Sequence, residues 1–493
     1  MRAARLLLPV VLALSACGTT VPGAGQAGVD ALAGGSAGSA ELGGVAAPVA
    51  PGAAVDPVAG GGPTAAGGSV AGGSVAGRAD GAAAPAADSP AAAPVRRSGQ
   101  GYTDRQIKLG FSISSDAARA LGATGLGVSI ADQQELVRSY LDKVNRAGGI
   151  AGRTAVPVFY DYSAGGDLNS QDQAACAKWT QDEPVFAATG VRAGSTGSGD
   201  TLTPCLAKAG VPWLQGVGDQ HKWARFLPAM YNVAAVNATR EARLLVESLA
   251  AQDFLPRTAK VGVVINDNQG DYSRTVKEGM EPALAKLGLS IAKKVVISNP
   301  QTQSSNAELQ MATSGVTHVL FAAPGGAAVS QFMIAADSQG RTYRYGVSSQ
   351  DAPGLTVQVL APHRQLLNAA GYGYKPSLDV DGSNQPPQTA GMKACLSHYT
   401  SKGYDTGSLN RAAMTIICDS VELVRAALEG QAAPSQASMA EAVARLGTSL
   451  PAAGTFATSF SERQHDGAGA YRFLRYDGER RAFRYVGDLR RAS

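Results

Sequence analysis

From Gln106 onward, apolar positions along the chain recur in two rhythms. QIKLGFSIS (106–114) alternates apolar and polar residues, which predicts a strand. SIADQQELVRSYLDKVNRA (129–147) places apolar residues three and four apart, which predicts an amphipathic helix. Gly148-Gly149 should end it, because glycine takes the left-handed cap conformation without steric cost. AVPVFYDY (155–162) restarts as a strand with Asp161 near its tip. The unit then repeats. A helix around SQDQAACAKWTQ leads to strand PVFAATG (184–190), and one around DTLTPCLAKAG leads to strand VPWLQG. Helix TREARLLVESLAAQ precedes strand KVGVVIND (260–267), and helix SRTVKEGMEPALAKLG precedes strand VVIS (295–298). THVLFAAP (317–324) is a further strand, with GGAAVSQFMIAADSQG as its helix. Short apolar strands alternating with helices predict an α/β protein with doubly wound parallel sheets covered on both faces. Such sheets bind ligands beyond the carboxyl ends of their strands, so the loops there are the candidate sites.

The chain before Gln106 has neither rhythm. MRAARLLLPVVLALSACGTT opens with Arg2 and Arg5, continues with the apolar run Leu6 to Leu14, and reaches Leu14-Ser15-Ala16-Cys17. This resembles the signal of bacterial lipoproteins, which implies a signal peptide over 1–17 and a diacylglycerol on Cys17. Residues 18–101 are almost entirely Ala, Gly, Ser, Pro and Val, with the small repeat AGGSVAGGSVAG at 66–77 and no aromatic residue. Such a composition cannot offset the entropy of ordering, so a disordered tether is expected, with a root-mean-square span on the order of 50 Å. No later apolar run is long enough to span a bilayer, so the expected membrane anchor is the lipid.

Charge and cysteine usage narrow the class. The formal net charge of +4 comes from 43 basic and 39 acidic residues, a balance that does not point to nucleic acid. The basic tail RYDGERRAFRYVGDLRRAS reads as a solvated strand end. Apart from Cys17, four cysteines remain, and they permit three pairings. An exported chain meets oxidising surroundings, and the local pairing Cys176–Cys205 and Cys395–Cys418 joins elements adjacent in the chain. Chain-entropy bookkeeping makes each bond worth roughly 3.5 kcal/mol. Catalysis is not expected. GSTGSG lacks the G-x-S-x-G spacing, the histidines at 221, 318, 363, 398 and 465 form no metal motif, and no P-loop occurs. Neither a metal nor a cofactor is expected.

YLDKVNRAGGIAGR (140–153), followed by a strand and Asp161, is similar to the Asn-x-x-GGI-x-G-R segment of type I periplasmic solute-binding proteins. The nearest branch is the one serving ABC importers of branched-chain amino acids and amides. NDNQGDY (266–272) resembles that family's loop after the opening strand of the second lobe. HYTSKGYDTGSLNRAAMTIICDSVELVRAAL resembles its paired late helices, and FSERQHDGAGAYRFLRYDG its terminal hairpin. The resemblance covers roughly 103–490. It implies two lobes joined by three crossing strands with a ligand cleft between them, the first built from 103–235 plus 372–458 and the second from 236–371 plus 459–490.

The resemblance also implies where a ligand would be held. The loop VRAGSTGSGD offers Ser195, Thr196 and Ser198 ahead of a helix, a setting that favours a carboxylate. GVGDQ places Val217, Gly218 and Asp219 at the next such loop, with Asp219 where relatives carry a small hydroxyl residue. Tyr272 stands at an aromatic lid position, and Gly325 lies in a PGG loop that often carries tyrosine in relatives. Asp351 would pair with a substrate ammonium, or Gln350 would hold a neutral polar group instead. Ser114, Ser115 and Asp116 are expected at the cleft mouth. The implied function is capture of a small amino-acid-like solute by a monomer and delivery to an ABC permease and ATPase. The alternative is a ligand sensor or surface-interaction lipoprotein that keeps the same fold but has no transport partner.

Overall fold

The computed structural model describes residues 98–116, 131–192, 200–267 and 271–493. The expected signal peptide, Cys17, almost all of the tether, and Ser195, Thr196 and Ser198 lie outside the described residues.

The first lobe is built on a three-stranded parallel sheet of order β2-β1-β3, formed by β1 (Gln106–Ile113), β2 (Thr154–Asp161) and β3 (Ala187–Gly190). VPWLQG does not form the strand its pattern predicts. Trp213 alone continues the sheet through parallel bridges to Ala188 and Met230. Between β1 and β2 runs α1 (Gln133–Arg146), capped at its start by the Asp132 side chain. Helices α2 (Leu168–Ala177), α3 (Leu202–Lys208) and α4 (Gln220–Arg225) follow, and α5 (Ala238–Ala250) opens the second lobe.

Alternation in β1 divides the first core. Ile107, Leu109 and Phe111 face α1 and three late helices, while Gly110 lies beneath the buried Trp179 on the other face. A Cβ on Gly110 would come within 2.9 Å of that indole, so the ring fixes the glycine.

The turn after α1 is built as its sequence predicts. Gly148 and Gly149 both have positive φ, and the Gly149 N–H donates to the Val144 carbonyl at 2.9 Å. The rest of the motif is structural too. The Asn145 side chain exchanges two hydrogen bonds with the Ala155 backbone and so sets the start of β2. Arg153 is only 1% exposed, and its guanidinium donates to the carbonyls of Thr103, Ala151, Gln431 and Ala432. One buried cation thereby ties together three stretches of chain far apart in sequence.

The second lobe holds a seven-stranded sheet of order β10-β9-β8-β7-β6-β4-β5. Strands β4 (Val261–Asn266), β5 (Ile291–Ile297), β6 (His318–Ala322), β7 (Arg344–Val347) and β8 (Ala369–Gly373) are parallel. The hairpin of β9 (Ala470–Asp477) and β10 (Ala482–Arg491) adds antiparallel to β8, so the sheet is mixed. β5 begins four residues before the predicted VVIS, because Lys293 and Lys294 interrupt the apolar run of this edge strand, with Lys294 facing solvent. The short helix α6 (Asp271–Thr275) follows β4, α7 (Pro300–Thr313) follows β5 and α8 (Ala327–Ser338) follows β6. Tyr372, Tyr374 and Val380 also belong to the second lobe's cores, beyond the boundary expected at 371.

Helices α9 (Ala390–Ser401), α10 (Ser408–Ala427) and α11 (Gln436–Leu446) return to the first lobe and complete its core. The crossing segments brace one another. Asn232 bridges Asp466, Thr458 bridges Ala468, and the buried Asp466 carboxylate accepts from the Asn237 N–H and pairs with Arg240 at 2.8 Å. Among the described residues, no helix is long and apolar enough to cross a membrane.

Candidate functional site

The carboxyl ends of the strands gather two sets of polar groups. In the first lobe, Asp161 at the tip of β2 accepts from the Ser115 N–H at 3.0 Å and from the Ser115 hydroxyl at 2.6 Å, fixing the loop after β1. Asp116 in that loop accepts from the Ser163 hydroxyl and the Ala164 N–H. The loop carrying Ser195, Thr196 and Ser198 is bracketed by an ion pair, Arg192 to Asp200 at 3.3 Å. Arg192 also pairs with the buried Asp172 at 2.6 Å, and Lys222 pairs with Asp200 at 2.7 Å. Burial opposes ionisation of Asp200, but Lys222 and Arg192 outweigh it and hold the carboxyl well below its usual range. The Asp172 carboxyl is pushed up by burial despite Arg192.

Gly218 has φ +140 and accepts the Ala238 N–H at the start of α5. Asp219 is fully buried. One of its oxygens caps α4 through the Lys222 N–H and the other pairs with Arg274 on α6 at 2.6 Å. Its position therefore joins the first lobe's loop to α6 of the second lobe.

The second lobe brings most of its predicted residues together. The Gly325 N–H donates to the Gln350 carbonyl at 2.8 Å. Beside it, a Cβ on Gly326 would come within 2.1 Å of the Asp351 carbonyl, so the PGG loop lies flat against the turn 348–351. Asp351 is buried and closes that turn by accepting from the Ser348 N–H at 2.7 Å. Burial pushes its carboxyl well up. The Tyr272 phenol is raised by burial and by the neighbouring charges of Glu241, Asp271, Asp267 and Asp351.

Three further residues belong to this set and escaped prediction. Glu241 on α5 is 4% exposed, its Oε2 accepts from the Tyr374 hydroxyl at 3.3 Å, and the Gln350 and Ser348 side chains also face its carboxyl. Burial pushes its carboxyl up, and Lys375 partly offsets this. Asp379 is fully buried, and one oxygen accepts from the Ser349 hydroxyl, the Lys375 N–H and the Tyr485 hydroxyl. Burial holds this carboxyl at about 7. The Lys375 amine is pulled down by burial, against the pull of Glu241 and Asp379. Glu241 did leave a trace in sequence, since it falls three and four residues before Leu244 and Leu245 on the apolar face of its helix. Asp379 and Lys375 left none, because they follow a strand in an ordinary turn.

Asn266 Oδ1 at the end of β4 is a buried acceptor without a hydrogen-bond partner. Among the described residues no cluster could hold a metal ion. Ser139 and His398 make a serine–histidine contact of 3.0 Å between α1 and α9. There, burial and then Lys143 depress the imidazole, and no carboxylate bonds the ring among the described residues.

Two lobes with polar strand ends define a solute-binding fold. The family model described as periplasmic binding protein matches residues 117–481, and the chain belongs to that family. Solved structures share the fold at low identity. A branched chain amino acid ABC transporter protein from Thermus thermophilus with bound valine is 14% identical, with a TM-score of 0.57, covering 78% of this chain and 96% of its own. A fatty acid ABC transporter substrate-binding protein from Thermomonospora curvata is 16% identical, with a TM-score of 0.55 over 80% and 93%. An ABC transporter substrate-binding protein from Desulfitobacterium hafniense in complex with Leu is 13% identical, with a TM-score of 0.53 over 78% and 100%. No curated protein matches the sequence.

Proposed function

We propose that this chain is the extracytoplasmic receptor of an ABC importer, capturing a small solute with a carboxylate or amide head, an amino acid foremost, and closing its lobes over it. The observation that carries this reading is the second lobe's polar set. Tyr272, Gly325, Gln350 and Asp351 meet at adjacent strand ends, and Glu241 adds a buried acceptor that the Gln350, Ser348 and Tyr374 side chains face. Such acceptors match an ammonium or amide donor. The bound valine and Leu named for two structural neighbours support the solute class, while the fatty acid protein of the same fold shows that it is not the sole choice. In this reading Ser195, Thr196 and Ser198 take the carboxylate, and the Arg192–Asp200 pair holds the base of their loop.

The body hangs from the membrane by a lipid on Cys17 and the tether to residue 101. Palmitate labelling that persists in a Cys17→Ser variant would count against the anchor. The binding test is thermal denaturation of the purified chain with amino acids, amides, fatty acids and sugars. A solute bound only by the folded state at a hundredfold excess over its Kd adds about 2.7 kcal/mol. A shift with amino acids that is lost in Ser195→Ala, Ser198→Ala supports the receptor reading. A shift with sugars alone overturns the proposed solute class.

A further inference from the structure

The basic tail expected to be a solvated strand end forms the hairpin of β9 and β10, with β10 at the outer edge of the second lobe's sheet. Residues 472–491 hold seven arginines and three acids, an excess of four. That excess equals the net charge of +4 of the whole chain, so the other residues balance to zero. Six of the seven arginines are exposed. Only Arg480 and Arg484 pair with an acid among the described residues, and both use Asp477, at 3.9 and 3.2 Å.

The register gathers charge onto one face. Arg484 lies opposite Arg475, and past a bulge Arg490 lies opposite Tyr471. Cross-strand partners and alternate residues share a face, so these three arginines stand on the side of Tyr471 and Phe473. Contacts agree with this. The Arg490 guanidinium lies 4.3 Å from the centre of the Phe473 ring, and Arg475 donates to the Gln252 side chain at 3.1 Å. The row runs the length from Tyr471 to Arg475, about 13 Å. Like charges directly opposite each other destabilise a hairpin, so folding alone does not call for Arg475 against Arg484.

The simplest use of charge at a sheet edge is to keep other strands away. The opposite edge of the same sheet shows what that takes. There β5 carries two lysines, Lys293 and Lys294, and Lys294 pairs with Glu281. The β9–β10 hairpin holds more charge than that, as arginine, and most of it has no acid partner among the described residues. Arginine grips a phosphate through parallel N–H groups in a way lysine does not. The last stretch of β10, Gly487 to Arg491, is exposed throughout, and Leu489 keeps 48% of its surface in water. An aliphatic side chain among cations suits the boundary between headgroups and acyl chains.

We infer that the β9–β10 hairpin docks on a bilayer surface bearing anionic phospholipid, through Arg475, Arg484 and Arg490, with Leu489 at the headgroup boundary. Docking holds the second lobe against the membrane. The surface uses neither the strand-end loops nor Cys17, so it stands or falls apart from the receptor and anchor readings.

The test is co-sedimentation of the full chain carrying Cys17→Ser, which removes the lipid attachment point. The vesicles are phosphatidylcholine alone, or phosphatidylcholine mixed with phosphatidylglycerol. The chain should sediment with the mixed vesicles only, and rising salt should release it. Arg475→Ala, Arg484→Ala and Arg490→Ala should each weaken binding about fivefold, and together about a hundredfold. Should the triple variant misfold, the single ones decide. Lys293→Ala, Lys294→Ala, on the opposite edge, should leave binding unchanged. Equal sedimentation with neutral vesicles, or with neither kind, overturns the inference. So does an equal loss in the lysine variant, or tighter binding to duplex DNA than to the mixed vesicles at the same salt.

Discussion

The two lobes solve the same problem with different means. The first has a three-stranded sheet and contains both disulfides, Cys176–Cys205 and Cys395–Cys418. The second has seven strands, and none of its core clusters contains a cysteine. The bonds lie on opposite faces of the smaller sheet. Cys176 packs with Trp179 and Leu206 on one side, and Cys395 and Cys418 pack with α1 on the other. A broad sheet sandwiched between two apolar cores needs no covalent help, whereas a narrow one leaves its helices with fewer strands to pack on. The strand mouths differ in the opposite sense. The first lobe presents a mostly apolar cavity behind its loops, with Ser112 and Thr189 in its lining, and the second a buried network of acids, hydroxyls and one lysine.

The largest effect should come from the cross-links. They close loops of 29 and 23 residues, and each is worth roughly 3.5 kcal/mol on the chain-entropy account. Reduction, or Cys→Ser at both pairs, should therefore melt the first lobe early and leave the second near its original transition. Hydrogen exchange is the measurement. Protection should fall in α1, α9 and α10 while β4, β6 and β7 keep theirs. Equal loss in both lobes would mean that they unfold as one unit and that the asymmetry has no energetic meaning.

Which of these features could be read from sequence follows from how local each one is. Strand and helix rhythm, the Gly148-Gly149 stop and the pairing of neighbouring cysteines are properties of short stretches, and the structure has them with one exception among the strands. VPWLQG looked like a strand because its apolar residues serve a core, yet only Trp213 makes bridges. Edge strand β5 hid its first half behind outward lysines. At the site, Gln350 and Asp351 were named through the family resemblance, with no strand before them read from the pattern. Glu241, Lys375 and Asp379 come from α5 and from the turn after β8, which meet only once the sheet is assembled. Asp219 shows the converse. Its loop marked it as a cleft residue, while burial and two partners give it a joining role that no local pattern announces.

The smaller effect separates the lobes by charge. Each keeps one buried carboxyl at about 7, Asp419 in the first and Asp379 in the second, in both cases through burial. A carboxyl with a raised folded pKa holds its proton more tightly in the fold than in the unfolded chain. Its contribution is therefore complete below about pH 4, is lost as the pH rises towards 7, and is level above that. The loss per site is at most about 4 kcal/mol. The partners then distinguish the two acids. Asp419 accepts one backbone N–H on each oxygen, from Ala453 at 2.6 Å and Gly454 at 2.9 Å. Asp379 takes three donors on one oxygen and none on the other. An amide at 379 can keep all three donors, so Asp379→Asn should flatten the slope between pH 5 and 8, leaving the variant at least the parent's equal at pH 5 and more stable than it at pH 8. An amide at 419 must turn an N–H toward a backbone N–H, so Asp419→Asn should cost about 1–3 kcal/mol at pH 5, a deficit that shrinks by pH 8 because the parent loses its own proton-linked stability over that interval. Urea denaturation at the two pH values checks this. Parallel behaviour of the two variants would mean that burial alone governs both acids, and that the bonding difference between the lobes is of no consequence.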